Sequence, residues 1–144
     1  MIIVSQEWVS MSKVGLGLVV AAIWAAPLAA EVLDCSFKAG RKSYITDRYI
    51  FSYEPGKAEA LVIDGFIKYK YEKPIAAKVL SEAKDKIVFS WTVDVGDVSN
   101  PAAIMYYRQT FNPQDKAAKI SAVAGRVGGE AITFSAQGSC TVEK

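Results

Sequence analysis

The sequence predicts an all-β fold. It reads as an antiparallel meander of about eight or nine strands closed into a small barrel, with the first and last strands joined by a disulfide. Three observations predict it. Apolar and polar residues alternate in short runs, the period of a strand with one buried face. Turn-forming pairs interrupt these runs mostly every 8–12 residues, the spacing of a meander. Cys35 lies in the first run and Cys140 in the last.

The runs follow one another along the chain. Near 32–38, Leu33, Cys35 and Phe37 alternate with Asp34, Ser36 and Lys38. Near 43–53, Tyr49, Phe51 and Tyr53 alternate with Arg48, Ile50 and Ser52, as one bent strand or two. Pro55-Gly56 then leads into 58–63. After Asp64-Gly65, residues Ile67, Tyr69 and Tyr71 alternate with Lys68, Lys70 and Glu72, predicting a strand over 66–72. Lys73-Pro74 precedes 75–82. Ile87, Phe89, Trp91 and Val93 share one face of 86–95. Strands near 102–111, 116–124 and 131–142 follow Gly96 to Pro101, Asn112-Pro113 and Gly128-Gly129. Residues 76–84 and 112–125 have composition that also suits short helices, the second with an Asn-Pro start and a Gly end. Their strand neighbours favour strands for both.

An all-antiparallel set must hide its edges, and closure into a barrel removes them. A disulfide needs Cα atoms about 4.4–6.8 Å apart. First and last strands are neighbours in a closed up-and-down barrel, although a two-sheet sandwich can also bring them together.

The chain ahead of this domain has the layout of a secretory signal peptide over residues 1–30. Lys13 supplies a positive charge, Val14 to Trp24 an apolar stretch, and Ala25 to Ala30 a small-residue cleavage region. Glu7 ahead of that charge fits poorly, and Met11-Ser12-Lys13 reads better as a start than Met1. A membrane anchor needs about 20 apolar residues, and the 17 from Val14 to Ala30 include several Ala and Gly and a Pro. Asp34 beside Cys35 does not suit a lipobox. The expected mature chain, 31–144, is a single domain, periplasmic or extracellular. An even cysteine count in an exported chain implies a bridge.

Charge excludes little else. The chain has 17 basic and 15 acidic residues, and Lys13 and Glu7 leave with the leader, so the net charge stays at +2. That is too small to argue for nucleic acid or an anionic membrane surface. The chain contains no histidine. The commonest general base, the Ser-His and Cys-His nucleophile systems and the usual zinc ligand are therefore missing. Carboxylate pairs could still hydrolyse glycosides, but Asp64, Asp94, Asp97 and Glu130 all fall in turns or at strand ends, where turn chemistry explains them. Asp94, Asp97 and Asn100 could supply oxygen ligands to calcium, although their spacing is not that of an EF-hand. Gly125 to Gly129 lacks the Lys-Ser/Thr ending of a phosphate loop. The reading therefore expects no catalytic residue, no metal and no cofactor. Lys68, Lys70, Lys73 and Lys78 read most simply as the wet face of a strand pair.

The aromatic content is the positive signal. Most of these rings must fill the core. Adjacent Tyr106 and Tyr107 cannot both point inward on a regular strand. If Met105, Tyr107, Gln109 and Phe111 face inward, an amide sits inside an apolar barrel. Aromatic walls with one or two polar groups suit a small-ligand site, and an eight-stranded barrel has room for packed side chains or one small ligand. Trp91, Tyr107 and Gln109 are the residues expected to line it.

The segment DGFIKYKYEKPIAAKVLSEAKDKIVFSWTVD and the ending SAQGSC resemble, in layout, small exported bacterial two-cysteine β-barrel proteins of lipocalin-like type. That resemblance implies export, a barrel fold and no established activity. A weaker similarity is to periplasmic inhibitors of C-type lysozyme, whose inhibitory loop motif is not found here. The expected function is non-enzymatic binding of a small apolar or amphipathic ligand. A protein-binding module, an inhibitor or envelope accessory factor acting through exposed loops and the Lys68/Lys70 face, is the alternative, and a carboxylate-dependent hydrolase comes third. The expected partners are a small apolar ligand or a protein. Nucleic acid is not expected, nor stable membrane insertion after leader cleavage.

Overall fold

The structure is a computed structural model, and it describes residues 30–40, 44–96, 103–125 and 131–144. The expected leader lies outside them but for Ala30. Eight strands form the barrel: β1 (Glu31–Phe37), β2 (Arg48–Tyr53), β3 (Glu59–Asp64), β4 (Ile75–Glu82), β5 (Ile87–Asp94), β6 (Ile104–Phe111), β7 (Ala117–Gly125) and β8 (Ile132–Glu143). One helix, α1 (Gly65–Tyr71), follows β3. Every strand pairs antiparallel with its sequence neighbour, and β8 pairs back onto β1, so the sheet is closed.

The seam carries the disulfide. Cys35 and Cys140 are direct register partners, bridged with their Cα atoms 3.9 Å apart. The Cys140 N–H donates to Lys116 O, away from β1. The two cysteines therefore occupy a non-hydrogen-bonded pair, the closer kind of cross-strand position. Both are buried. A buried disulfide fits an oxidising, non-cytoplasmic compartment.

Gly138 lets β8 approach this seam. A Cβ there would lie 1.9 Å from Ser36 O, so only glycine fits.

Alternation sorted most strand residues correctly, although Val88, on the outward parity of β5, is buried as well. Phe89, Trp91 and Val93 face inward from β5, and Met105, Tyr107, Gln109 and Phe111 from β6. Arg108 and Tyr106 face out. The segments near 75–82 and 116–124 are strands, not helices.

One element is different. Residues 66–72, expected as a strand, form α1 instead. Asp64 caps it, its Oδ1 accepting from Ile67 N at 2.7 Å, the usual satisfaction of an orphan first-turn amide. Glu72 ends it in the left-handed region at φ 62°. The apparent alternation did not mark burial: Ile67 is buried, but Tyr69 is 86% exposed. Lys68 and Lys70 thus ride on a helix and not on the wet face of a strand pair.

The interior fills by matching large to small. Aromatic rings enter from β1, β2, β5 and β6: Phe37, Tyr49, Phe51, Phe89, Trp91 and Phe111. Alanines answer from β3, β4, β7 and β8: Ala60, Ala77, Ala118, Ala122 and Ala136. Bulky and small inward residues together fill the bore of a small barrel.

In an up-and-down barrel, successive connections alternate between ends. The turn end holds the connections after β2, β4 and β6. The loop end holds the longer connections after β1, β3, β5 and β7, including α1.

Candidate functional site

The site is built at the loop end. Its foundation is the β5–β6 pair, whose register sets Trp91 opposite Tyr107 and Phe89 opposite Gln109. Trp91 and Tyr107 stack with centroids 5.3 Å apart and planes 2° from parallel. Tyr49 tilts against both, at 5.7 and 6.4 Å. Phe51 meets Trp91 edge-on and stacks on Phe89 at 4.6 Å. Offset and edge contacts of this kind add about 0.5–1.5 kcal/mol each beyond burial. Together they hold the floor of the site rigid.

A short strap crosses above this floor. It comprises Tyr44, Ile45 and Thr46, between β1 and β2. Tyr107 Oη donates to Tyr44 O at 2.7 Å. Thr46 N donates to Tyr49 Oη at 3.1 Å, and Thr46 Oγ1 to Asp64 Oδ2 at 2.6 Å. Ile45 is the buried residue of the strap, as Ile67 is that of α1. Asp64 therefore ties strap and helix together, one carboxylate oxygen to each. Asx turn chemistry, the role its Asp-Gly sequence suggested, is the smaller part of its work.

Burial governs the phenols. It pushes the Tyr107 hydroxyl well above the usual range, and the neighbouring Tyr49 phenol, which resists a second ionisation beside it, and Asp64 add to this. Tyr49 is raised the same way, by burial and then by Asp64. Both act as neutral hydrogen-bonding groups, not as bases.

Trp91, Tyr107 and Gln109 are brought together inside the barrel and are all buried. Gln109 Nε2 donates to Cys35 Sγ at 3.2 Å, and Cys140 Sγ lies at 3.8 Å. Its Oε1 has no hydrogen-bond partner among the described residues, nor has Trp91 Nε1. The amide expected in an apolar barrel is there, set against the disulfide.

The open space lies beside this group. A pocket of about 150 Å³ sits between the strap and the ends of β5 to β8, walled by Tyr44, Val95, Ile104, Met105, Ile132 and Phe134. The Tyr44 and Phe134 rings meet edge-on at 5.7 Å. Of the expected residues, Tyr107 reaches this pocket indirectly, by holding Tyr44 in place.

Sequence reasoning missed Tyr44, Thr46 and the structural role of Asp64. The strap has no periodicity to read. Asp64 ahead of a short apolar run was legible as a helix cap. Of the other carboxylates considered, Asp94 Oδ1 accepts from Gly96 N at 2.8 Å as a turn residue. Asp97, Asn100, Arg126 to Gly129 and Glu130 lie outside the described residues.

Fold and site together define a disulfide-closed, eight-stranded up-and-down barrel with an apolar pocket at one mouth. Comparison with protein-family models, with curated proteins and with solved structures finds no match to this chain.

Proposed function

We propose that the mature protein is an exported, non-enzymatic binding module that works in the periplasm or outside the cell. It seats a small apolar or amphipathic ligand in the mouth pocket. The observation that carries this reading is the pocket itself. It is walled almost entirely by apolar side chains and roofed by a strap that Tyr107 anchors from within. A volume of about 150 Å³ suits one aromatic ring or the end of a short hydrocarbon chain, since an apolar cavity of that size holds benzene. The Trp91–Tyr107 stack stiffens the wall from below.

The test uses toluene and a short-chain alcohol as probes. Trp91 is the one tryptophan after residue 30; it stacks on Tyr107 beneath the pocket and does not line it, so tryptophan emission reports on the floor of the site. Binding predicts a saturable change in that emission and a saturable shift of the Met105 methyl resonance. A response linear in probe, with no shift at Met105, overturns the reading.

A second reading has its own observation. Tyr44, Ile104, Tyr106 and Ile132 are 39–51% exposed around the same rim. A protein partner docking on the loop end would cover them, and charge reversal at Lys68 and Lys70 would then release it.

A further inference from the structure

The inside of the barrel holds two polar atoms that its own side chains leave unmatched. Trp91 Nε1 and Gln109 Oε1 have no hydrogen-bond partner among the described residues. Trp91 is 3% exposed and Gln109 0%, so bulk solvent reaches neither. A buried donor or acceptor left unmade is costly, and such groups in folded proteins are nearly always paired with protein or with ordered water.

The polar groups around them are engaged elsewhere. Tyr107 Oη donates to Tyr44 O, and Tyr49 Oη accepts from Thr46 N. Turning the Gln109 amide over does not relieve the defect. Its Nε2 donates to Cys35 Sγ at 3.2 Å, and the disulfide sulfurs carry no proton to donate. A turned amide would set Oε1 against those sulfurs and lose the bond.

The two atoms are complementary, because an indole N–H only donates and an amide oxygen only accepts. They also share one region of the bore. Trp91 lies opposite Tyr107 and Phe89 opposite Gln109, so Trp91 and Gln109 are diagonal neighbours on the inward face of β5 and β6. Diagonal neighbours stand about 7–8 Å apart, within reach of long and aromatic side chains. Across the bore both turn towards the same pair. Gln109 reaches Cys35, Cys35 lies opposite Tyr49 in register, and the Tyr49 and Trp91 rings are 5.7 Å apart. Beside them the facing strands offer short side chains: Ala122 is the register partner of Tyr107, and Ala136 that of Ile120.

We propose that Trp91 Nε1 and Gln109 Oε1 form a binding site for one internal water molecule. The water accepts from the indole and donates to the amide oxygen. Two bonds of about 2.9 Å each let it bridge atoms about 5 Å apart, and the sulfurs beside Gln109 are weak acceptors for its second proton. Through it Trp91 on β5 is joined to Gln109 on β6, and through the amide to Cys35 on β1. The floor of the mouth site is thereby tied to the disulfide seam. Neither residue walls the mouth pocket, so this proposal stands apart from the ligand proposed there.

A crystal structure of the disulfide-bonded protein at atomic resolution tests this. One ordered water within about 2.7–3.2 Å of both atoms is expected. A direct bond from Trp91 to Gln109, no ordered density between them, or part of an organic molecule in that position overturns the proposal. Solution NMR reads the same site. The Trp91 indole proton should show a nuclear Overhauser cross-peak to water. Gln109→Leu, which removes the acceptor and keeps the bulk, should abolish the cross-peak and shift tryptophan emission to the blue. A cross-peak that survives Gln109→Leu would arise from the exchanging phenol protons of Tyr49 or Tyr107, and it too overturns the proposal. The crystal structure decides even where the leucine variant does not fold.

Discussion

The two ends of the barrel are held by different means. At the turn end the chain reverses in short connections closed by their own backbone. Lys57 N donates to Glu54 O, Ala83 and Lys86 exchange two bonds, and Lys116 N donates to Asn112 O. Asn112 and Asp115 side chains add local bonds to Gln114 N and Ala117 N. Gly56 and Lys116 take positive φ, 86° and 66°, where these turns demand it. At the loop end the anchors run from the barrel interior to the loops. Tyr107 reaches Tyr44, 63 residues away in sequence, and Asp64 reaches Thr46, 18 away. The turns at that end are closed locally, and Glu82 ties two of them together by accepting from Tyr53 Oη and Gly56 N, 29 and 26 residues away in sequence. The loop end is specified only once the barrel has formed, and its parts are held by few bonds that can open without unfolding it.

The largest expected effect belongs to neither end. The disulfide spans a sequence separation of 105, for which chain-entropy reasoning gives about 4–5 kcal/mol. Replacing Cys35 and Cys140 together by alanine should remove about 4 kcal/mol, lowering the melting temperature by well over ten degrees. Because β1 and β8 run the full height of the barrel, amide exchange should quicken at both ends alike. Quickening at one end only would show that the seam is not shared between them.

Asp64→Ala should separate the ends. It removes the cap of α1 and the bond from Thr46 at once. A lost cap costs about 1 kcal/mol, and a buried hydrogen bond to a charged group about as much again or more, so about 2–3 kcal/mol should go. Exchange should rise across the strap and α1, while the 54–57, 83–86 and 112–116 turns stay protected. A uniform rise would mean that the two ends unfold as one unit and the contrast between them is only geometric.

The same contrast explains what the sequence could tell. Strands and turns are local, and the alternation of Phe89, Trp91 and Val93 or of Met105, Tyr107 and Gln109 reports directly which face is buried. Cys35 and Cys140 then specify which strands meet at the seam. Two things were not local. The Ile67, Tyr69, Tyr71 spacing has the period of a strand, but the segment folds as α1 behind the Asp64 cap. The cap decides for a helix, which buries Ile67 and leaves Tyr69 in water. The strap has no pattern of its own, because its bonds come from Tyr49, Asp64 and Tyr107 on three other elements. Trp91, Tyr107 and Gln109 were correctly placed inside, yet the pocket beside them is walled by loop-end residues that only the folded barrel assembles.

The smallest effect compares one phenol from each end. Tyr53 Oη donates to Glu82 at the turn end, and Tyr107 Oη to Tyr44 O at the loop end. Burial first raises both hydroxyls above the usual tyrosine range; the hydrogen bond to Glu82 adds to it at Tyr53, and the neighbouring Tyr49 and Asp64 add to it at Tyr107. A raised folded value means that the neutral phenol stabilises the fold fully below the unfolded value of about 10 and progressively less as pH rises beyond it. The wild-type protein should therefore lose stability above about pH 10, with these phenols ionising as the barrel opens. Tyr53→Phe and Tyr107→Phe should each cost about 1 kcal/mol at neutral pH, the net worth of one hydrogen bond. Each should also flatten the alkaline decline, as measured by denaturant titration at pH 7 and pH 11. Only Tyr107→Phe should also loosen the strap, raising exchange at Tyr44 to Thr46 and speeding entry of toluene into the mouth pocket. Equal entry rates in the two variants would mean that the strap does not control the pocket, and that the loop end is closed by α1 and the rim alone.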